Sequence, residues 1–141
     1  MNPKYIGPIM KKISEEMEKQ ANEQLKKYRL TLTQGKIILF LSDKPEKRAT
    51  QKELEDFLQV SHPTTVSIVR SMEAKNMIET VRAGEDRRMK YVSLVWGNEE
   101  IYSEIRDNAS ELDRRLLDGF SDEEKAQFCA FLDRVYRNSV C

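Results

Sequence analysis

A chain of 141 residues can enclose one hydrophobic core but not two independent ones. With 34% of those residues charged and 24 Lys or Arg against 24 Asp or Glu, net charge alone gives no sign of a nucleic-acid partner. Five glycines offer no phosphate-cradling loop, one histidine leaves no set of three or four metal ligands, and two cysteines cannot make a disulfide framework, so these enzyme, metal and disulfide-scaffold classes fall away.

The distribution of charge says more than its sum. Ser61 to Lys90 carries six Lys or Arg against four Asp or Glu, a balance of +2, while Asn98 to Glu124 carries three against ten, a balance of −7. The first stretch, Met1 to Gln20, is charged throughout its amphipathic pattern and reads as neither a secretory signal nor one of the roughly 20-residue apolar runs that span a bilayer. The expected setting is the cytoplasm, with no membrane association, reduced thiols and no use for the Asn108-Ala109-Ser110 sequon.

Ile6, Ile9, Met10, Ile13, Met17, Ala21, Leu25 and Tyr28 recur at steps of three and four. They predict one long amphipathic helix, its first turns loosened by Pro3 and Pro8. Thr33 is the expected cap of a second helix, whose Ile37-Ile38-Leu39-Phe40-Leu41 run is apolar nearly all round. Such a run suits a helix buried under the next segment, with a short buried strand as the competing reading. Ser42 to Arg48 is a loop, a place where some related architectures add a third short strand.

Thr50 to Leu94 is the stretch around which the chain is organised. In Thr50-Gln51-Lys52-Glu53 the threonine hydroxyl can accept from the amide three residues on, and the glutamate can reach back to the Thr50 amide. Leu54, Phe57 and Leu58 give the helix that follows its apolar face. Gln59-Val60 is a short link, and Ser61 caps another helix with His62-Pro63 just inside it, where proline's missing N–H costs nothing. Thr65, Val66, Val69 and Met72 share the inner side of this second helix. Pro63, Thr64, Ser67 and Ser71 lie opposite, flanked by Ile68 and Arg70. A small, polar outer face suits entry into a groove about 12 Å wide, with hydroxyls and an imidazole against base edges.

Asn76 stands where a left-handed residue ends a helix. Met77 to Arg82 and Arg88 to Leu94, both rich in β-formers, flank Ala83-Gly84-Glu85-Asp86-Arg87 and read as a hairpin. Arg82, Arg87, Arg88 and Lys90 crowd onto it, where a wing touches the DNA backbone or minor groove.

Ser61-His62-Pro63-Thr64-Thr65-Val66-Ser67, Met72-Glu73-Ala74-Lys75-Asn76-Met77-Ile78, Asp86-Arg87-Arg88 and Val92-Ser93-Leu94 together resemble the pattern of the MarR (multiple antibiotic resistance regulator) family. The likeness runs over nearly the whole chain, with a long first helix and two long last ones. It implies that Asp86 braces the wing and Arg88 goes to DNA. Asn76 departs from the glycine usual in that family, and Val95-Trp96 stands where a threonine commonly caps the fifth helix.

Gly97-Asn98 offers a substitute cap for that fifth helix, traced by Ile101, Ile105, Asn108, Leu112 and Leu116 and closed by Gly119. Ser121-Asp122-Glu123-Glu124 is a capping box, and Phe128, Phe131, Leu132, Val135 and Tyr136 form an apolar stripe on the sixth helix. The first, fifth and sixth helices each carry more apolar surface than a small core can cover. A two-fold dimer would bury it and set two recognition helices near 34–36 Å apart.

Each functional reading has a plainer rival. His62 is a DNA or helix-start contact, or a surface histidine. The wing arginines contact DNA, or they guard an edge strand against unwanted pairing. Cys129, among Phe128, Phe131 and Leu132, is expected as a buried thiol without a redox role, and Cys141 as a frayed tail. Trp96, Met10 and Met17 line an effector pocket or simply pack.

The sequence therefore predicts a mainly α fold with a small β-hairpin wing, a winged helix-turn-helix with long dimerisation helices. It reads as a single domain over 1–141, with the DNA-binding region at 31–95 and dimerisation helices at 1–30 and 98–141. The expected function is a ligand-responsive repressor that binds a pseudo-palindromic operator as a homodimer, without cofactor, metal or enzymatic activity. Ser61, His62, Pro63, Thr64, Ser67, Ile68, Arg70 and Ser71 form its recognition face, Arg82, Arg87, Arg88 and Lys90 its wing contacts, and Asp86 the brace. Ile6, Ile9, Met10, Ile13, Leu116, Phe120, Phe128, Phe131, Leu132, Val135 and Tyr136 are the expected dimer contacts. The alternative is a winged-helix dimer that serves as a protein-interaction scaffold through its acidic fifth helix.

Overall fold

Residues 4–82 and 88–141 are described by the computed structural model. Among them, α1 (Ile6–Leu25), α2 (Leu32–Ser42), β1 (Arg48–Thr50), α3 (Gln51–Leu58), α4 (His62–Ala74), β2 (Ile78–Arg82), β3 (Lys90–Leu94), α5 (Glu99–Leu116) and α6 (Asp122–Ser139) follow in order. Short 3-10 turns occupy Lys26–Tyr28 and Pro45–Lys47. The strands form one antiparallel sheet in the order β1-β3-β2, so the fold is mainly helical with a small wing, as the sequence predicts. Two compact units divide the chain, one ending at Asn108 and one beginning at Ala109.

In the first unit, α1 runs regularly from Ile6. Pro8, expected to loosen it, is the third helical residue, where an amide would have no intrahelical partner anyway. Pro3 lies outside the described residues. The helix stops at Leu25 instead of continuing to Tyr28, because the 3-10 turn and a left-handed Arg29 (φ 57°) redirect the chain. Leu25 is the only buried residue α1 contributes. Gly35 in α2 makes room for it, since a Cβ there would come within 2.8 Å of Leu25 Cδ1.

The apolar run after Thr31 is helical, which settles the choice between helix and buried strand. Its cap is Thr31 and not Thr33. The Thr31 hydroxyl accepts from the Gln34 amide at 3.2 Å, and Gln34 Oε1 accepts from the Thr31 amide at 3.1 Å. The reciprocal box needs Gln or Glu three residues on, which Thr31 finds in Gln34, whereas Thr33 meets Lys36. Ile37, Ile38 and Leu41 are fully enclosed and form the centre of the core with Leu54, Met72 and Ile78. Full burial of each such side chain contributes roughly 1.5–3 kcal/mol, which makes α2 the element the reading head is built on.

The third strand is present. β1 pairs with β3 through Arg48↔Ser93, Ala49↔Val92 and Thr50↔Tyr91. On its other edge β3 pairs with β2 from Ile78↔Leu94 to Arg82↔Lys90. The strands are shorter than the β-forming runs because Met77 belongs to the turn that closes α4, while Arg88 and Met89 precede β3.

At the base of the sheet the buried Tyr102 hydroxyl lies 2.7 Å from the Met77 carbonyl and 3.1 Å from that of Val95. It also accepts from Asn98 Nδ2 at 3.2 Å, and the same amide group donates to the Asn76 carbonyl at 2.8 Å. Burial of the phenol pushes its pKa up, so it keeps the proton these bonds require.

In the second unit, Gly119 turns through φ 84° and α6 starts in the expected capping box. Ser121 Oγ accepts from the Glu124 amide at 3.1 Å, and Glu124 Oε1 accepts from the Ser121 amide at 2.9 Å. Phe120 and Phe128 pack with ring centroids 6.0 Å apart. No residue of α6 is buried, so Cys129 is exposed and not the buried thiol expected from its aromatic neighbours. Those neighbours share its helix but have no second apolar layer over them in the isolated chain.

Candidate nucleic-acid interface

α3 and α4 make the helical half of the site. Thr50 caps α3 by accepting from the Glu53 amide at 3.1 Å, but the reverse bond expected from Glu53 to the Thr50 amide is replaced. The carboxylate takes the Thr50 hydroxyl at 3.3 Å and the Lys44 ammonium at 3.1 Å. The hydrogen bond from Lys44 lowers the Glu53 pKa. Thr50 is also the last residue of β1, which is why its backbone serves the sheet. Leu54 is buried and Leu58 half-buried. Phe57, expected on the apolar face, is 43% exposed and stacks on Phe40 with centroids 4.3 Å apart.

Gln59, left-handed at φ 55°, ends α3 and turns the chain into α4. Ser61 caps α4, with His62 and Pro63 as its first two residues. Thr65, Val69 and Met72 face inward and are buried. Ser61, His62, Pro63, Thr64, Ser67, Arg70 and Ser71 are exposed, and Ile68 is half-buried.

These outward residues differ in how committed their polar groups are. The Ser61 hydroxyl is the cap and sits 2.9 Å from Thr64 Oγ1. Ser71 Oγ accepts from the buried Gln34 amide at 3.1 Å, which ties the end of α4 to α2. Lys75 Nζ reinforces that tie by donating to Gln34 Oε1 at 2.8 Å. Ser67 and Arg70 are left on the middle of the outer face, while His62 Nδ1 is held by Glu55 of α3 at 2.5 Å.

A Schellman turn closes α4. The Asn76 amide donates to the Glu73 carbonyl at 3.0 Å and the Met77 amide to that of Met72 at 3.1 Å, with Asn76 at φ 60°. Thr80 then donates to Glu73 at 2.8 Å, holding the start of the wing against the helix.

Along the wing, Arg82 and Lys90 are exposed and sit directly opposite each other in the β2–β3 register, and Arg88 is exposed just before β3. Asp86 and Arg87, with the rest of the hairpin tip at 83–87, lie outside the described residues.

Beside this interface is a cavity of about 590 Å³, whose lining includes Ser42, Lys47, Trp96, Glu99, Tyr102 and Arg106. Trp96 thus lines this cavity, and Met10 and Met17 are not among its lining residues. Ser42 is 4% exposed, and its hydroxyl has no hydrogen-bond partner among the described residues. Trp96 is 88% exposed.

Sequence reasoning missed the buried Gln34 brace, the Tyr102 and Asn98 bonds, and the Glu55–His62 contact. Gln34 was legible as the third-position partner of Thr31. The others join residues whose proximity only the fold creates.

A capped helix with a small polar outer face, preceded by a short helix and followed by a cationic hairpin, defines the winged helix-turn-helix regulator class. A family model described as the MarR family matches residues 30–89. The uncharacterized HTH-type transcriptional regulator YwoH of Bacillus subtilis (strain 168) is 34% identical over 110 residues, covering 78% of each chain. Among solved structures, the transcription regulator MarR from Oenococcus oeni PSU-1 is 26% identical with a TM-score of 0.79, over 94% of this chain and 99% of that one. S. aureus MepR in its DNA-binding conformation shares the fold with a TM-score of 0.83 at 24% identity, over 95% and 98% of the two chains. The chain belongs to the MarR family of winged-helix transcriptional regulators.

Proposed function

We propose that the chain is a ligand-responsive repressor, acting in the cytoplasm as a homodimer that sets one α4 into each half-site of a pseudo-palindromic operator. The observation that carries this reading is the outer face of α4. From Ser61 to Ser71 it holds hydroxyls, an imidazole and a guanidinium and no carboxylate, so nothing on it repels a phosphate backbone. A solved complex of S. aureus MepR with DNA has this fold over 96% of the present chain, with a TM-score of 0.83.

In this reading residues 31–95 form the DNA-binding region, and the exposed apolar stripes of 1–30 and 98–141 meet a second copy. His62, Ser67 and Arg70 face base edges, and Arg82, Arg88 and Lys90, with Arg87, meet phosphates or the minor groove. Asp86 braces the wing. Arg88→Ala should weaken operator binding by on the order of 1–3 kcal/mol and reduce the slope of log affinity against log salt by about one. A salt-titrated gel shift measures both, and an unchanged slope would remove Arg88 from the interface.

The cavity beside the sheet is the effector site in this reading. The Ser42 hydroxyl, without a partner among the described residues, offers a hydrogen bond, and the exposed Arg106 guanidinium offers charge. Trp96 is the single tryptophan, so its indole N–H gives one resonance in a proton–nitrogen correlation spectrum. Molecules that release operator DNA should shift that resonance, and Ser42→Ala should weaken the response. Release without any shift would place the effector elsewhere.

A further inference from the structure

Three side chains converge at the start of α4. His62 Nδ1 lies 2.5 Å from Glu55 Oε1 and 3.1 Å from Gln51 Nε2, and Gln51 Nε2 lies 3.5 Å from the same glutamate oxygen. The Glu55 side chain is only 16% exposed, whereas that of His62 is 69% exposed.

The proton on the ring follows from these distances. A carboxylate oxygen at 2.5 Å would repel an imidazole lone pair, so Nδ1 carries the hydrogen and donates it to Glu55. The Gln51 amide can then donate only to the carboxylate, at 3.5 Å, and the short Glu55 contact alone sets the tautomer. In the neutral ring the other nitrogen, Nε2, is left as an acceptor. It has no partner among the described residues and belongs to the first residue of α4.

An acceptor and a donor at this point would read different bases. In the major groove, adenine N6 and cytosine N4 are donors, whereas guanine O6 and N7 and thymine O4 are acceptors. We propose that Glu55 sets sequence specificity through His62: by claiming Nδ1–H it makes Nε2 an acceptor for the exocyclic amine of one adenine or cytosine in each half-site. This rests on the DNA-binding function proposed above and adds to it a positioning residue and the chemical group that is read.

Selection from random duplexes tests the assignment. The wild type should enrich a palindrome in which one position per half-site prefers adenine or cytosine by on the order of tenfold. Glu55→Ala frees the ring to present Nε2–H, and the preference at that position should fall to near parity while the other positions hold. Glu55→Gln keeps an oxygen that accepts from Nδ1–H and should retain the preference, and His62→Ala should lose it. Matching melting curves for all variants separate a lost reading from a lost fold.

A palindrome with every position indifferent to Glu55→Ala, or with guanine or thymine favoured at the His62 position, overturns the proposal and leaves DNA binding intact. A wild type that enriches no duplex overturns both.

Discussion

At position 76 the chain turns through φ 60° on an asparagine, not on the glycine its family usually has there. Asparagine tolerates the left-handed region better than most residues, but glycine enters it without a Cβ penalty. The bond from Asn98 goes to the Asn76 backbone carbonyl, so changing the side chain leaves it in place. Asn76→Gly should therefore raise stability by a few tenths to about 1 kcal/mol, and Asn76→Ala should lower it by about 1–2 kcal/mol. Urea unfolding of the two variants should show midpoints moving in opposite directions. Position 76 was readable in advance because the Schellman turn is local. The grip of Tyr102 on Met77 and Val95 was not, since it spans 25 residues to one partner and seven to the other. A tyrosine within an amphipathic helix gives no sign of which distant carbonyls it will reach.

Elements were legible where their signals are short-range. Ser61 and Ser121 cap α4 and α6 as read, and the apolar run at Ile37 to Leu41 is the buried segment of the reading head. The start of α2 was misread by two residues, since either threonine can cap but only Thr31 has a glutamine in the reciprocal position.

The join between the turn after α1 and α5 was invisible in sequence. Glu104 accepts there from Lys27 Nζ and from the Tyr28 hydroxyl. These two donors, lysine first, hold the Glu104 carboxyl below its usual range. A carboxyl whose pKa is depressed on folding stabilises the fold above its unfolded value and loses that contribution as pH falls through the lower folded value. Glu104→Gln should therefore flatten the acid side of the stability profile. Between about pH 5 and about pH 3, the urea midpoint should fall less in the variant than in the wild type. Parallel profiles would remove this contact from the acid response.

At the scale of the whole molecule, a large uncovered surface among the described residues is apolar. In α1, Ile6, Met10 and Ile13 are 61%, 42% and 46% exposed, and in α6 Phe131 and Tyr136 are 57% and 60% exposed. In the homodimer proposed above, these side chains meet a second copy. Phe131→Glu should leave the reading head folded and yield monomers in sedimentation velocity, with operator affinity falling as the second half-site is lost. A dimer unchanged by that charge would place the interface away from α6. The sequence pointed to this surface because the stripes follow helical periodicity. It misled on Cys129 for the same reason, since periodicity identifies an apolar face without saying what covers it.

The Tyr102 phenol works as a rivet through three layers. One oxygen joins Met77 in the turn that closes α4, Val95 just after β3, and Asn98 just ahead of α5. A displacement at the head of α5 therefore bears on the end of α4 and the end of β3 through a single oxygen.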